Sequence, residues 1–240
     1  MRKNYGTVAI CTLLILFSVS CSSKEMRKRE AEPFRNLGEG YIAQGNYSAA
    51  LRELLKAEKL YPEDAILHND LGYTYMAKGK LDLAVQHYKK ALKINPDYAA
   101  ARNNLGTAYL KKRDWDAAIA VFEENLENLI YATPQKTYLN LGIAYAYKKE
   151  YEISEKYFRD CLNLYRDGLR QDSTYILVLY GLGKLYTDTG RIPEAIPLLE
   201  AAIKADPSHA FVYFSLARTC VLSKDQEANK ILRQLETEKK

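Results

Sequence analysis

The chain of 240 residues has three histidines and four cysteines, and it lacks any apolar run long enough to cross a bilayer. Its uncharged apolar stretch from Thr7 to Val19 holds about 13 residues, against the ~20 that a spanning helix needs. His68, His87 and His209 stand at no spacing typical of metal ligands, so no metal is expected. GLGK at 181–184 is only a fragment of a phosphate-binding loop, without the full spacing or the hydroxyl residue after Lys184. The formal charge of +5 is spread through abundant acidic residues rather than gathered into a basic stripe, which argues against nucleic acid as a partner. With no catalytic constellation in view, neither an enzyme nor a cofactor is expected.

What is present begins at the amino terminus. Arg2 and Lys3 precede the short apolar run, and the small residues Ser18, Val19 and Ser20 lead into Cys21. A basic start, a short apolar middle and small residues before a cut site are the marks of a secretory signal peptide over residues 1–20. The segment resembles the lipobox of bacterial lipoproteins, which implies that Cys21 is lipidated and becomes the mature amino terminus. Ser18 stands where that family prefers Leu, and the alternative is ordinary cleavage that releases a soluble periplasmic protein. Loss of Arg2 and Lys3 lowers the formal charge from +5 to +3. Residues 21–30 then read as a solvated tether whose Lys24, Arg27, Lys28 and Arg29 can lie against anionic headgroups.

From residue 31 to 238 the chain repeats itself. Leu37, Gly38, Tyr41, Ala50, Leu54, Ala57 and Pro62 return 34 residues later as Leu71, Gly72, Tyr75, Ala84, Tyr88, Ala91 and Pro96. Leu105, Gly106, Tyr109, Ala118 and Phe122 continue the pattern, and Leu182, Gly183, Tyr186, Ala195, Leu199, Ala202 and Pro207 restore it later. Leu, Gly and Tyr at offsets 0, 1 and 4 share one face of a first helix, and Ala, a bulky residue and Ala at offsets 13, 17 and 20 line a second. Small residues let the two axes approach, and bulky ones fill the gaps. Pro62, Pro96 and Pro207 are expected to open the next helix, with Asn95 and Asp206 as caps. One such hairpin cannot bury its apolar face alone, so stability must come from stacking.

This pattern resembles the tetratricopeptide repeat, which implies an all-α, right-handed solenoid of about six helix-turn-helix units. We place them at 31–64, 65–98, 99–134, 135–175, 176–209 and 210–238. The third runs two residues over, with Asn125 in place of a small residue and Pro134 only seven before Leu141. The fourth carries seven extra residues near 166–174, which either lengthen its second helix or form a loop. In the sixth, Ala217 and Cys220 take the Gly and Tyr places, as suits a cap that meets water. Cys161 and Cys220 both read as buried thiols a whole repeat apart, so no disulfide is expected between them. His68 falls in an aromatic core slot, where packing accounts for it.

By the same resemblance, certain first-helix positions face a binding groove. They give Arg35, Asn36, Glu39 and Ile42, then Asn69, Asp70, Tyr73 and Met76, then Asn103, Asn104, Thr107 and Leu110. Later repeats add Leu139, Asn140, Ile143, Leu177, Tyr180 and Lys184. Amides that pair with a peptide backbone alternate here with side chains that cover an apolar face; the plainer alternative is that the asparagines merely solvate a helix. The carboxylate clamp of chaperone-binding repeats is absent, because Glu39 and Asp70 stand where it needs amides and Ala100 where it needs Lys. An acidic tail would be repelled.

The lipobox, the number of repeats and the irregular third one, with IYATP leading into YLNLG, together resemble the type IV pilus biogenesis lipoproteins, the pilotins of PilF/PilW type. The resemblance implies an outer-membrane protein, facing the periplasm on its lipid anchor, that binds the secretin subunit and promotes its multimerisation. Ser22 fits that delivery, since Asp at this place commonly retains lipoproteins at the inner membrane. The alternative among binding modules is an adaptor of peptidoglycan hydrolases or another envelope complex.

Overall fold

The computed structural model describes the backbone of residues 5–127, 134–165 and 172–238, and side chains between Lys24 and Gln226 within these ranges, Glu127 and Asp225 excepted. Cys21, the candidate lipid site, lies outside the described side chains, and so does most of the IYATP segment. Every regular element is helical: α1 (Tyr5–Ala43), α2 (Tyr47–Leu60), α3 (Ala65–Ala77), α4 (Leu81–Ile94), α5 (Ala99–Lys112), α6 (Trp115–Glu127), α7 (Pro134–Tyr147), α8 (Tyr151–Asn163), α9 (Ser173–Asp188), α10 (Ile192–Ala205) and α11 (Ala210–Glu238). The chain divides into two compact units, 1–112 and 113–240.

Within each unit the helices pair as antiparallel hairpins, and the repeat explains why. Gly72 of α3 lies against the fully buried Tyr88 of α4, so close that a Cβ at Gly72 would stand 2.7 Å from ring carbons. Gly142 and Phe158 in α7 and α8, and Gly183 and Leu199 in α9 and α10, repeat the same contact. Gly183 therefore has a packing role, and the phosphate-loop likeness ends there.

The turn inside each hairpin is also shared. Gly45, Gly79 and Gly190 have φ of 71°, 72° and 78°, and Lys149 adopts φ of 63° at the equivalent place. The Gly79 amide donates to the Met76 carbonyl and the Lys80 amide to the Tyr75 carbonyl, which closes the end of α3.

In the first unit the core gathers Ala31, Ala50, Leu54, Ala57, Leu67 and Leu71. In the second, one core centres on Leu139, Phe158, Cys161, Val178, Leu182 and Tyr186. Another joins Ile176, Leu179, Leu199, Ala202 and Val212. Polar locks cross between hairpins. Glu155 of α8 accepts from Arg159 Nε (2.8 Å), from the Tyr186 hydroxyl of α9 (2.7 Å) and from Arg191 Nη1 (2.5 Å). Although burial works against its charge, these donors hold the Glu155 carboxyl down at about 2.

Several expectations are corrected. Pro62, Pro96 and Pro207 precede α3, α5 and α11 by three residues and sit in the connections between helices instead of opening them. Asn95 and Asp206 end the preceding helices and fold their side chains onto the amides of Asp97 and Ser208. The cap of α3 is Asp64, whose carboxylate accepts from the amides of Ile66 (2.8 Å) and Leu67 (3.2 Å). Pro134 does open its helix. Helix α8 ends at Asn163, so the extra residues of the fourth repeat do not lengthen it; 166–171 lie outside the described residues.

Where a sixth hairpin was expected, α11 runs as one helix. Cys220 on it is only partly buried, whereas Cys161 is fully buried; both are free thiols. Residues 24–30, read as a tether, continue α1 with exposed side chains, and Lys24 pairs with Glu63 at 2.6 Å.

Candidate functional site

In the first unit, the first helices of the hairpins, α1, α3 and α5, lie side by side and carry the predicted groove residues. The asparagines there bond to neighbouring side chains. Asn104 Nδ2 donates to Asn69 Oδ1 at 2.9 Å, and Asn69 Nδ2 donates to Asp70 Oδ1 at 3.4 Å. Asn36 is exposed and accepts from Arg35 Nη2 at 3.1 Å, while Arg35 Nη1 reaches Asp64 at 3.2 Å. Thr107 donates to the Asn103 carbonyl one turn back, a bond within its own helix. Asn103, Met76 and Leu110 are partly buried. Tyr73 is 38% exposed and its ring packs on Tyr47 of α2 with centroids 6.3 Å apart. An ordered amide row therefore exists on this face, and its amides already have protein partners.

The most unusual group on this face is Asp70. Its Oδ2 is buried and has no hydrogen-bond partner among the described residues. Burial, with the negative charge of Glu39 adding to it, raises the Asp70 carboxyl to about 7. The sequence placed Asp70 and Glu39 on this face but gave no sign that Asp70 is desolvated.

The second unit holds a concavity. A cavity of about 250 Å³ opens between α7, α8 and α9. Ile143 and Tyr147 line it from α7, Tyr151 and Phe158 from α8, and Leu177, Tyr180 and Lys184 from α9. Gly181 makes it possible: a Cβ there would meet Phe158 Cζ at 2.8 Å, so its absence lets the ring form part of the wall. At the rim Lys184 Nζ pairs with Asp188 at 2.6 Å, and Arg218 of α11 reaches the other Asp188 oxygen at 3.3 Å. Tyr180 is held edge-on to Phe211 at 4.8 Å, and Tyr147 stacks on Trp115 at 4.6 Å.

Of the predicted groove residues, Ile143 and Tyr180, with Leu177 and Lys184, share this cavity. Asn140 is partly buried on α7 and is not part of the lining. Leu139, expected in the groove, is 6% exposed and belongs to the core against Phe158. Sequence reasoning missed Tyr147, Tyr151 and Gly181. The doubled glycine of GLG at 181–183 was the available signal, because the repeat requires only Gly183.

Paired helices with glycine-bulky contacts, recurring turns and an apolar concavity define a helical-repeat scaffold built to hold another chain. Family models described as TPR repeat match residues 38–79 and 72–112, and models described as Tetratricopeptide repeat match 101–132 and 135–208. The chain belongs to the tetratricopeptide-repeat proteins, which are typically non-catalytic interaction scaffolds, and no enzyme family is indicated.

Among solved structures it is similar to PilF of Pseudomonas aeruginosa, at 21% identity over 84% of this chain and 87% of that one, with a TM-score of 0.69. It is also similar to PilW, described as a widely conserved type IV pilus biogenesis factor, at 19% identity over 83% and 93%, with a TM-score of 0.68. YrrB, described as a TPR protein with an unusual peptide-binding site, is 21% identical over 72% and 85%, with a TM-score of 0.53. At these identities the likeness establishes the fold. No curated protein sequence matches the chain.

Proposed function

We propose that the chain is a lipid-anchored protein of the bacterial outer membrane that binds a segment of a secretin subunit and promotes its localisation and multimerisation. The observation that carries the binding reading is the apolar cavity of α7, α8 and α9, with aromatic walls and a charged rim. A side chain of an extended or helical segment enters such a cavity, and Lys184 and Asp188 at its mouth supply polar orientation. The likeness to PilW, a type IV pilus biogenesis factor, together with the lipobox-like SVSC, supports the pilus assignment. On the first unit, Asp70 and Glu39 favour a neutral or basic segment over an acidic one.

Tyr147 is 62% exposed and Leu177 38%, so removing them costs little folding energy while it strips the cavity mouth. Tyr147→Ala with Leu177→Asn is expected to leave helical circular dichroism intact, to lower secretin multimers on non-dissociating gels and to reduce surface pili. A photo-crosslinker at residue 177 should trap secretin in intact cells. Normal multimers and pili with the folded double variant would refute the secretin reading, and crosslinks to peptidoglycan hydrolases instead would support the adaptor role.

A further inference from the structure

His68 and His87 are separated by 19 residues, a spacing that suggests no metal site, yet the pairing of α3 with α4 brings them together. His68 on α3 is 2% exposed and His87 on α4 is 7% exposed. Their Nδ1 atoms face each other at 3.1 Å. Glu58, in the last turn of α2, reaches in from the preceding hairpin with Oε1 3.9 Å from His68 Nδ1. One possible ligand atom from each of the three lies within 4.8 Å of the other two.

The protonation pattern suits a cation. His68 Nε2 lies 2.8 Å from the Pro62 carbonyl, which can only accept, so Nε2 carries the hydrogen and Nδ1 presents its lone pair inward. A carbonyl on the far nitrogen is the usual support of a metal-bound imidazole. Burial disfavours the charged form of both rings, bringing His87 down to about 4. Tyr75 stacks on His87 at 5.2 Å and fixes its plane. Asp64 adds negative charge near His68, and Lys90 Nζ lies 3.4 Å from Glu58 Oε1 on a side chain 54% exposed and therefore able to swing away.

We propose that Glu58, His68 and His87 bind a divalent transition cation of the Zn²⁺ type, which clamps the first hairpin onto the second. Two nitrogens 3.1 Å apart subtend an angle of about 100° at an ion bonded to each at about 2.05 Å, close to tetrahedral. The carboxylate, 3.9 Å from His68 Nδ1, moves closer to complete a third bond of similar length. Two imidazoles and one carboxylate select Zn²⁺, Co²⁺ or Ni²⁺ over Mg²⁺ and Ca²⁺, which prefer oxygen alone. Water takes the fourth position on the side where Glu58 meets solvent. Because the ligands come from α2, α3 and α4, binding raises the stability of the first unit and leaves the cavity of the second unaltered.

The test uses the full chain in detergent, stripped of metal and titrated with Zn²⁺ by calorimetry and with Co²⁺ by visible absorption. The expected result is one ion per chain, cobalt bands without the sulfur charge-transfer that cysteine ligation adds, and Mg²⁺ inactive. At 100 times Kd the unfolding equilibrium should shift about 100-fold toward the native state. Glu58→Gln should weaken binding at least tenfold, and His87→Gln should abolish it together with the stabilisation. Glu58 is partly exposed, so its variant folds even if the buried His87 variant does not. Equal binding by wild type and Glu58→Gln, thiolate-type cobalt bands, or no binding at millimolar Zn²⁺ each overturns the proposal.

Discussion

Asp70→Asn is predicted to change stability with a sign that depends on pH. The Asp70 carboxyl titrates at about 7 in the folded chain against 3.8 when free, chiefly because it is buried and secondarily because Glu39 is near. Between these values the folded state holds a proton that the unfolded state has released, so stability falls as pH rises from about 4 to about 7 and then levels. A difference of about 3 pH units corresponds to roughly 4 kcal/mol of destabilisation above pH 7. Asparagine removes that penalty, but its amide stands where Oδ2 has no partner, at a cost of about 1–3 kcal/mol.

The net expectation for Asp70→Asn is a gain of about 1–3 kcal/mol at pH 8 and a loss of about 1–3 kcal/mol at pH 4, where the wild-type carboxyl is also neutral. Urea unfolding followed by helical circular dichroism at pH 4, 6 and 8 measures both. A stability difference that stays within about 1 kcal/mol across that range would show that Asp70 is solvated and that the charge argument is wrong.

Lys149→Gly relieves a left-handed residue at the α7–α8 turn, where three other hairpins already have glycine; a gain of about 1 kcal/mol is expected in urea unfolding, whereas the same change in a helix would destabilise. Glu155→Gln should cost about 2–3 kcal/mol at pH 7. The wild-type contribution is fully present above pH 4.5 and lost as pH falls toward 2, so variant and wild type should converge in acid. Cys21→Ser should move the protein from the membrane to the soluble fraction and end palmitate labelling, because each buried methylene of a lipid anchor contributes about 0.8 kcal/mol and the variant carries none. Persistent labelling would disprove the anchor.

The repeat was legible because its packing is local and periodic: Gly72 and Tyr88 sit 16 residues apart and touch in the structure, and Gly142 and Phe158 do the same. Boundaries were less legible. Proline before a helix is compatible both with the first helical turn and with the preceding loop, and only the bonds of Asp64 to Ile66 and Leu67 decide between them. The long α11 was missed for a related reason: with Ala217 and Cys220 in the Gly and Tyr places the repeat pattern fades there, and the spacing alone does not mark whether a turn or a continuous helix follows.

The candidate sites were legible only in part, because repeat positions specify which face a side chain occupies and not what lies opposite. Tyr180 and Ile143 share a cavity only because Gly181, a residue outside the repeat consensus, makes room beside Phe158. Leu139 faces inward by position yet is buried, since the neighbouring Phe158 and Val178 close over it. His68 shows the same limit more sharply. Read along the chain it fills an aromatic slot, and packing accounts for it; across its own hairpin it meets His87, and two buried imidazoles with facing nitrogens form a chemistry that neither position carries alone. Side chains outside the consensus are therefore where individual function enters a repeat scaffold, and the first unit places Asp70 and the His68–His87 pair at such positions, while the second places Gly181.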